Sequence, residues 1–369
     1  MQDTPTIRRR LDRLFAVSLG VLLAVVVQAA PARAGVGDVT EYPITTPGSS
    51  PTGITAGPDR ALWFTEFDAD RIGRITTRGT VTEFALPTGS GLPFDITQGP
   101  DHALWFTESA ADKIGRITTE GAVTEFPLPV AGSFPTGITL GADRALWFTE
   151  NGTNRIGRMR PDGSVTEYAI PTPDSFPYHI AAGHGGVWFT ELLAGRIGRV
   201  DASGNVTEYP LPTGSEFPSD IAAGPGGMWF TASDQIGRIT RSGTVTLFPR
   251  PNPGGAADGI TRGPDGNMWY ADQAGVIGRI TPTGRITEFP VPGGADKVPF
   301  NIATGPDRNI WFTELSGNAI GRVDARPGRG TGPHAAAPQP ARPGPRTERP
   351  PRLLPCGTAT PPGAASFCR

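Results

Sequence analysis

Seven tryptophans, Trp63, Trp105, Trp147, Trp188, Trp229, Trp269 and Trp311, recur at steps of 42, 42, 41, 41, 40 and 42 residues, and the chain has no others. Each is followed by Phe or Tyr, and seven to nine residues later by Ile-Gly-Arg, at 72–74, 114–116, 156–158, 197–199, 236–238, 277–279 and 320–322. A period near 40 with strand-like content specifies a β-propeller. Within the first repeat, Gly57-Pro58-Asp59-Arg60 reads as a tight turn and Ala61 to Glu66 as a buried strand. Arg71 to Thr76 reads as the next strand, and its Gly73 leaves room for a neighbouring large ring, expected to be a Trp. Val81 to Phe84 is the last of four short strands, which together make one blade.

The ends of the array fix its closure. The last repeat stops after Ile320-Gly321-Arg322-Val323, while an orphan outer strand, Val39-Thr40-Glu41-Tyr42, precedes the first repeat. The expected fold is all-β, a seven-bladed propeller over residues 38–324 whose last blade is completed by the N-terminal strand. Such closure leaves no open sheet edge between the ends of the array.

Residues 1–34 read as a signal peptide cleaved after Ala34: Arg8-Arg9-Arg10, an apolar run from Leu14 to Val27, then Ala32-Arg33-Ala34. The run is shorter than the ~20 residues a spanning helix needs, so a secreted or periplasmic protein with no transmembrane segment after cleavage is expected. Residues 325–369, rich in Pro and Arg, read as a disordered tail, and both cysteines, Cys356 and Cys368, fall in it. The net charge of −2 hides a split. Five Arg oppose two acids in residues 1–34, and seven Arg oppose one Glu from Arg326 onward, which leaves the repeats at −11. Nucleic acid is a poor partner for such a domain. A small neutral or cationic ligand, or an envelope or extracellular partner, fits it, and the closed ring is expected to be a monomer.

Features shared by all repeats read as scaffold, and departures from the repeat as candidate site. The Ile-Gly-Arg arginines are expected to pair with the acids three residues past each Trp: Glu66, Glu108, Glu150, Glu191, Asp272 and Glu314, with Ala232 the exception. His102 and His184 fall in turns away from the axis, and His334 in the tail. The variable pairs lie at the start of each inner strand, in the pattern Pro-X-Z-Ile. They are Thr52-Gly53, Phe94-Asp95, Thr136-Gly137, Tyr178-His179, Ser219-Asp220, Asp258-Gly259 (after Ala257) and Phe300-Asn301. These starts face the funnel of a propeller. The ligand candidates are therefore Phe94, Asp95, Tyr178, His179, Ser219, Asp220, Asp258, Phe300 and Asn301. Asp95, Asp220 and Asp258 are candidate ligands of a divalent cation such as Mg²⁺ or Ca²⁺. The bland alternative is that the Z residues hydrogen-bond the next blade's backbone.

The phrases ALWFTENGTNRIGRM (145–159) and KIGRITTEGAVTEFPLP (113–129) resemble the virginiamycin B lyase (streptogramin lyase) family, and the resemblance spans all seven repeats. It implies a Mg²⁺-assisted elimination that opens a cyclic ester at the funnel. It also implies His at the positions of Asp258 and Phe300, Glu at those of Val298 and Leu315 (with Glu314 adjacent), and Tyr at that of Thr52. None of these is kept, and Phe300 cannot serve as a base nor Val298 as a metal ligand. Two functions follow as expectations. One is an exported ligand-binding or interaction propeller. The other is a C–O lyase or lactonase-like enzyme with a metal-dependent centre rebuilt from Asp95, His179, Asp220 and Asp258.

Overall fold

A computed structural model describes residues 35–213, 216–252 and 254–325. The signal-peptide reading of residues 1–34, and the tail from Arg326 with its two cysteines and His334, lie outside the described residues. Ala325, placed by the sequence at the head of that tail, is still buried beside Val323. Among the described residues no helix is long and apolar enough to cross a membrane.

The strands form seven four-stranded sheets. In the first blade they are Pro51–Ala56, Ala61–Glu66, Arg71–Thr76 and Val81–Ala85, antiparallel in sequence order. The seventh consists of Pro299–Thr304, Ile310–Glu314 and Ala319–Val323, and Val39–Pro43 completes it. The closing register runs from Val39 opposite Val323 to Pro43 opposite Ala319. Inner strands touch those of both neighbouring blades right around the ring, the seventh meeting the first. Five of the seven outermost strands end in Pro, which cannot donate to a further strand.

Core packing follows from strand alternation. Phe64 lies opposite Gly73, and a Cβ there would stand 2.1 Å from the ring, so the large side chain over the glycine is Phe rather than Trp. Trp63 lies on the other face, stacked on Phe84 of its own blade at 5.6 Å and packed against Leu104 and Phe106 of the next.

The arginines also differ from expectation. Arg74 Nε donates to Asp59 Oδ2 at 2.6 Å, and Trp63 Nε1 donates to Asp59 Oδ1 at 3.1 Å, with the guanidinium 5.9 Å from the Trp ring. Partial burial opposes the charge of Asp59, but these bonds hold its carboxyl below the usual range. The same Asp–Trp–Arg arrangement recurs with Asp101, Asp143 and Asp265. Arg74 is opposite Trp63 and Glu66 is three residues past it, so the two project from opposite faces and cannot pair. His184 takes the place of the turn Pro in the fourth blade, whose turn has no Asp, and its carbonyl accepts Trp188 Nε1 at 3.3 Å. His102 sits in the corresponding turn of the second blade, with φ of 60°.

Candidate functional site

Every inner strand loses register between its first residue and the Ile three places on, as between Pro51 and Ile54 or Pro177 and Ile180. The two residues in between are the X and Z positions, so a bulge re-aims each candidate side chain. Thr65, two residues past Trp63, stitches this level to the next blade by donating to Phe94 O at 2.8 Å. Equivalent threonines do so in every blade except the sixth, where Ala271 stands. The sequence carried that signal, a Thr in six of seven repeats.

The Z residues form a crowded polar layer. A Cβ at Gly53 would stand 2.7 Å from Asp95 Cα, at Gly137 2.7 Å from His179 Cα, and at Gly259 2.8 Å from Asn301 Cα. A glycine at those blades lets the backbone of the next approach closely. Asp95 accepts from Ile96 N at 2.8 Å and from Ile138 N of the next blade at 2.9 Å. Asp220 repeats this with Ile221 N at 2.7 Å and Ile260 N at 2.8 Å. Asn301 accepts from Ile302 N at 2.7 Å. The blade-to-blade reading therefore holds for Asp95 and Asp220. His179 Nδ1 lies 3.5 Å from Asp220 Oδ1 and 3.9 Å from Asp95 Oδ2, which joins three of the candidates across the axis.

The X residues make the layer beside it. Phe94, Tyr178 and Phe300 come from the second, fourth and seventh blades and meet, with ring centroids 5.5 Å apart for Phe94–Tyr178 and 6.1 Å for Phe94–Phe300. Phe67, Phe176, Leu192 and Leu315 pack on this cluster. Asp258 stands apart from it in chemistry. Ser219 Oγ donates to its Oδ1 at 3.2 Å and Gln273 Nε2 to its Oδ2 at 2.5 Å. All nine candidates are buried, none more than 9% exposed.

Burial sets the electrostatics. It pushes Asp95 up to about 6 against the attraction of His179 and two amide bonds. It pushes Asp220 up to about 7 despite its amide bonds, and Asp258 up to about 7 despite Gln273 and Ser219. Desolvation holds the His179 imidazole low, opposed by Asp95, and drives the Tyr178 hydroxyl well above its ordinary value. Burial thus disfavours the charged form of each of these five groups.

The donor set does not fit a divalent cation. The carboxylate oxygens of Asp95 and Asp220 already accept backbone amides. Among the described residues no three His, Cys, Asp or Glu side chains gather as a metal-holding group. Leu315 extends the aromatic cluster where the resemblance implies a carboxylate, and Val298 is a turn residue with φ of 49°.

With this geometry in place, comparison with known proteins gives the lineage. The model of the virginiamycin B lyase family matches residues 32–171 and 139–332. The chain belongs to the virginiamycin B lyase family. Among solved structures it is similar to a streptogramin B lyase at 35% identity, covering 78% of this chain and 97% of that one, with a TM-score of 0.73. Selenomethionine-substituted virginiamycin B lyase from Staphylococcus aureus is 37% identical, covering 78% and 99%, with a TM-score of 0.73. A catalytically inactive His-to-Ala variant of the S. aureus enzyme, solved with quinupristin, is 36% identical over the same shares, with a TM-score of 0.73.

Proposed function

We propose that this chain is an exported member of the virginiamycin B lyase family that binds a ligand at the mouth of its axis and does not carry the family's elimination. The observation that supports this most is the packed cluster of Phe94, Tyr178, Phe300 and Leu315. Two of its members stand where the resemblance places a general base and a carboxylate. An aromatic ring and an isobutyl group can neither take a proton nor ligate Mg²⁺. Exposed apolar side chains stand at the ends of the elements that form the mouth: Leu193, 60% exposed, follows Leu192 of the cluster, and Phe217, 56% exposed, precedes the inner strand Pro218–Gly224. Around it lies a domain of net charge −11, which favours a neutral or cationic ligand with apolar surface.

A second reading rests on His179, seated between Asp220 and Asp95. Under it the chain is a C–O lyase or lactonase-like enzyme with His179 as base. One experiment separates the two. Purified mature protein is incubated with a type B streptogramin and Mg²⁺, and linear product is sought by mass spectrometry. No product is expected, while the same compound raises the melting temperature if it occupies the mouth. Turnover abolished by His179→Ala would establish the enzyme reading.

A further inference from the structure

The acid three residues past each Trp does not stand alone. On the first blade, Glu66, Phe64, Gly73 and the outer-strand Glu83 share one face, because Phe64 and Glu83 both lie opposite Gly73. The third blade shows how the two acids meet. A Cβ at Gly157 would stand 2.6 Å from Glu150 Oε1 as well as 2.2 Å from the Phe148 ring, so the glycine lets the inner acid cross toward the outer one. The fifth blade has Ala232 and Leu247 at these two places. Both acids are lost together there, which marks the pair as one unit.

Most blades supply a cation to the pair. Lys113 meets Glu125 at 2.7 Å in the second blade, and Arg155 meets Glu167 at 2.8 Å in the third. Lys297 reaches Glu41 at 3.1 Å and Glu314 at 3.4 Å in the seventh, and buried Arg250 contacts Asp272 in the sixth. The first and fourth blades differ. Among the described residues, Arg71 and Arg196 form no ion pair with the acids beside them. Glu66 and Glu191 are fully buried, and no hydrogen bond of normal geometry reaches either oxygen of either side chain, a condition that Glu108 of the second blade shares. The nearby hydroxyls do not fill the gap, since Ser49 Oγ donates to Asn318 at 2.9 Å and Ser175 Oγ to Asn154 at 2.8 Å. The outer partners do have donors: Thr46 N to Glu83 at 3.1 Å and Thr172 N to Glu208 at 3.0 Å.

We propose that Glu66 with Glu83, and Glu191 with Glu208, each share one proton as a carboxyl–carboxylate pair, and that losing this proton loosens the mouth of the axis. The buried members, Glu66 and Glu191, are the ones whose charge burial disfavours, so the proton rests on them. Burial, then the facing carboxylate, push Glu66 and Glu191 up to about 8. The groups facing Glu66 are Glu83, Arg71 and Ser49, and those facing Glu191 are Glu208, Arg196 and Ser175.

The coupling to the mouth is direct. The next residues, Phe67 and Leu192, pack on the Phe94–Tyr178–Phe300 cluster. Their amides donate to Ser50 O at 3.2 Å and Phe176 O at 3.0 Å. Ser50 and Phe176 have φ of 49° and 57° just before a proline, a conformation that persists only when its surroundings enforce it. A second negative charge placed beside those staples in a dry site works against them.

The test compares the full mature chain with its Glu66→Gln/Glu191→Gln variant from about pH 5 to about pH 9. A glutamine amide donates to the outer carboxylate at every pH. The wild type is expected to lose melting temperature across the range more steeply than the variant. Its Phe67 and Leu192 amides should show a rise in hydrogen exchange beyond the intrinsic base-catalysed one, absent in the variant. Part of the carboxylic-acid carbonyl infrared band at neutral pH should vanish in the variant. Equal melting slopes with an unchanged band would overturn the proposal. If the glutamine variant does not fold, Glu66→Ala/Glu83→Leu copies the fifth blade's own pair of residues and carries the same comparison for the first blade.

Discussion

Individual residues divide by whether the repeat predicts them. The Pro-X-Z-Ile positions were legible because they break a pattern that is otherwise kept, and the fold does bring Asp95, His179 and Asp220 together. Spacing along the chain does not reveal the partners of the Ile-Gly-Arg arginines. Alternation along each strand puts Arg74 on the Trp63 face and Glu66 on the Phe64 face. The roles of Asp95 and Asp220 were not readable, since hydrogen bonds to Ile138 N and Ile260 N depend on how close adjacent blades come at the axis. That closeness gives a prediction. Asp220→Ala strands two buried amides, those of Ile221 and Ile260, and is expected to cost roughly 2–4 kcal/mol. Denaturant unfolding measures it, and a loss under about 0.5 kcal/mol would mean that water or relaxation satisfies both amides. Adding millimolar Mg²⁺ is expected to leave the midpoint of either protein unmoved, because the donor set offers it no place.

At the scale of the element, the closing strand is the part most securely written in the sequence. The missing outer strand at one end and the spare copy at the other have no other geometric solution in a closed ring. Val39–Pro43 pairs along its whole length with Ala319–Val323, Tyr42 stacks on Trp311 at 5.5 Å, and Glu41 meets Lys297. Deleting residues 35–44 exposes the edge of Ala319–Val323 and uncovers Trp311 in one step. The truncated protein is expected to aggregate or to melt far below the full-length chain. A cooperative melt at the full-length temperature would show that the ring closes without its clasp. Removing residues 326–369 is expected to leave the melt unchanged. What the sequence could not supply at this scale is the bulge at the head of every inner strand. A one-residue shift of register leaves no mark on composition, yet it aims the whole candidate site.

The whole molecule sets acids in places where their charge is unwelcome, and this fixes how its stability depends on pH. Asp95, Asp220 and Asp258 at the axis have carboxyls raised to about 6, about 7 and about 7 by burial. A group whose value is higher in the folded than in the unfolded chain binds more protons when folded. Its contribution is fully present below the unfolded carboxylate value of about 4 and is lost as pH rises through the folded value. These three groups therefore weaken the propeller between about pH 4 and about pH 7, a lower window than that of Glu66 and Glu191. The turn acids act in the opposite sense. Asp59, Asp101, Asp143 and Asp265 are lowered, so the stability they add is present above about 4 and lost as pH falls below it. Those four are more exposed and their share is screened by solvent. The two trends place maximum stability in acid solution, at about pH 4. Urea midpoints measured at one-unit steps should peak there, and Asp220→Asn should flatten the descending limb between about pH 5 and about pH 7. A peak above pH 7 would mean that the axis carboxyls ionise without cost, and therefore that water reaches a layer in which His179, Asp95 and Asp220 are packed almost out of solvent.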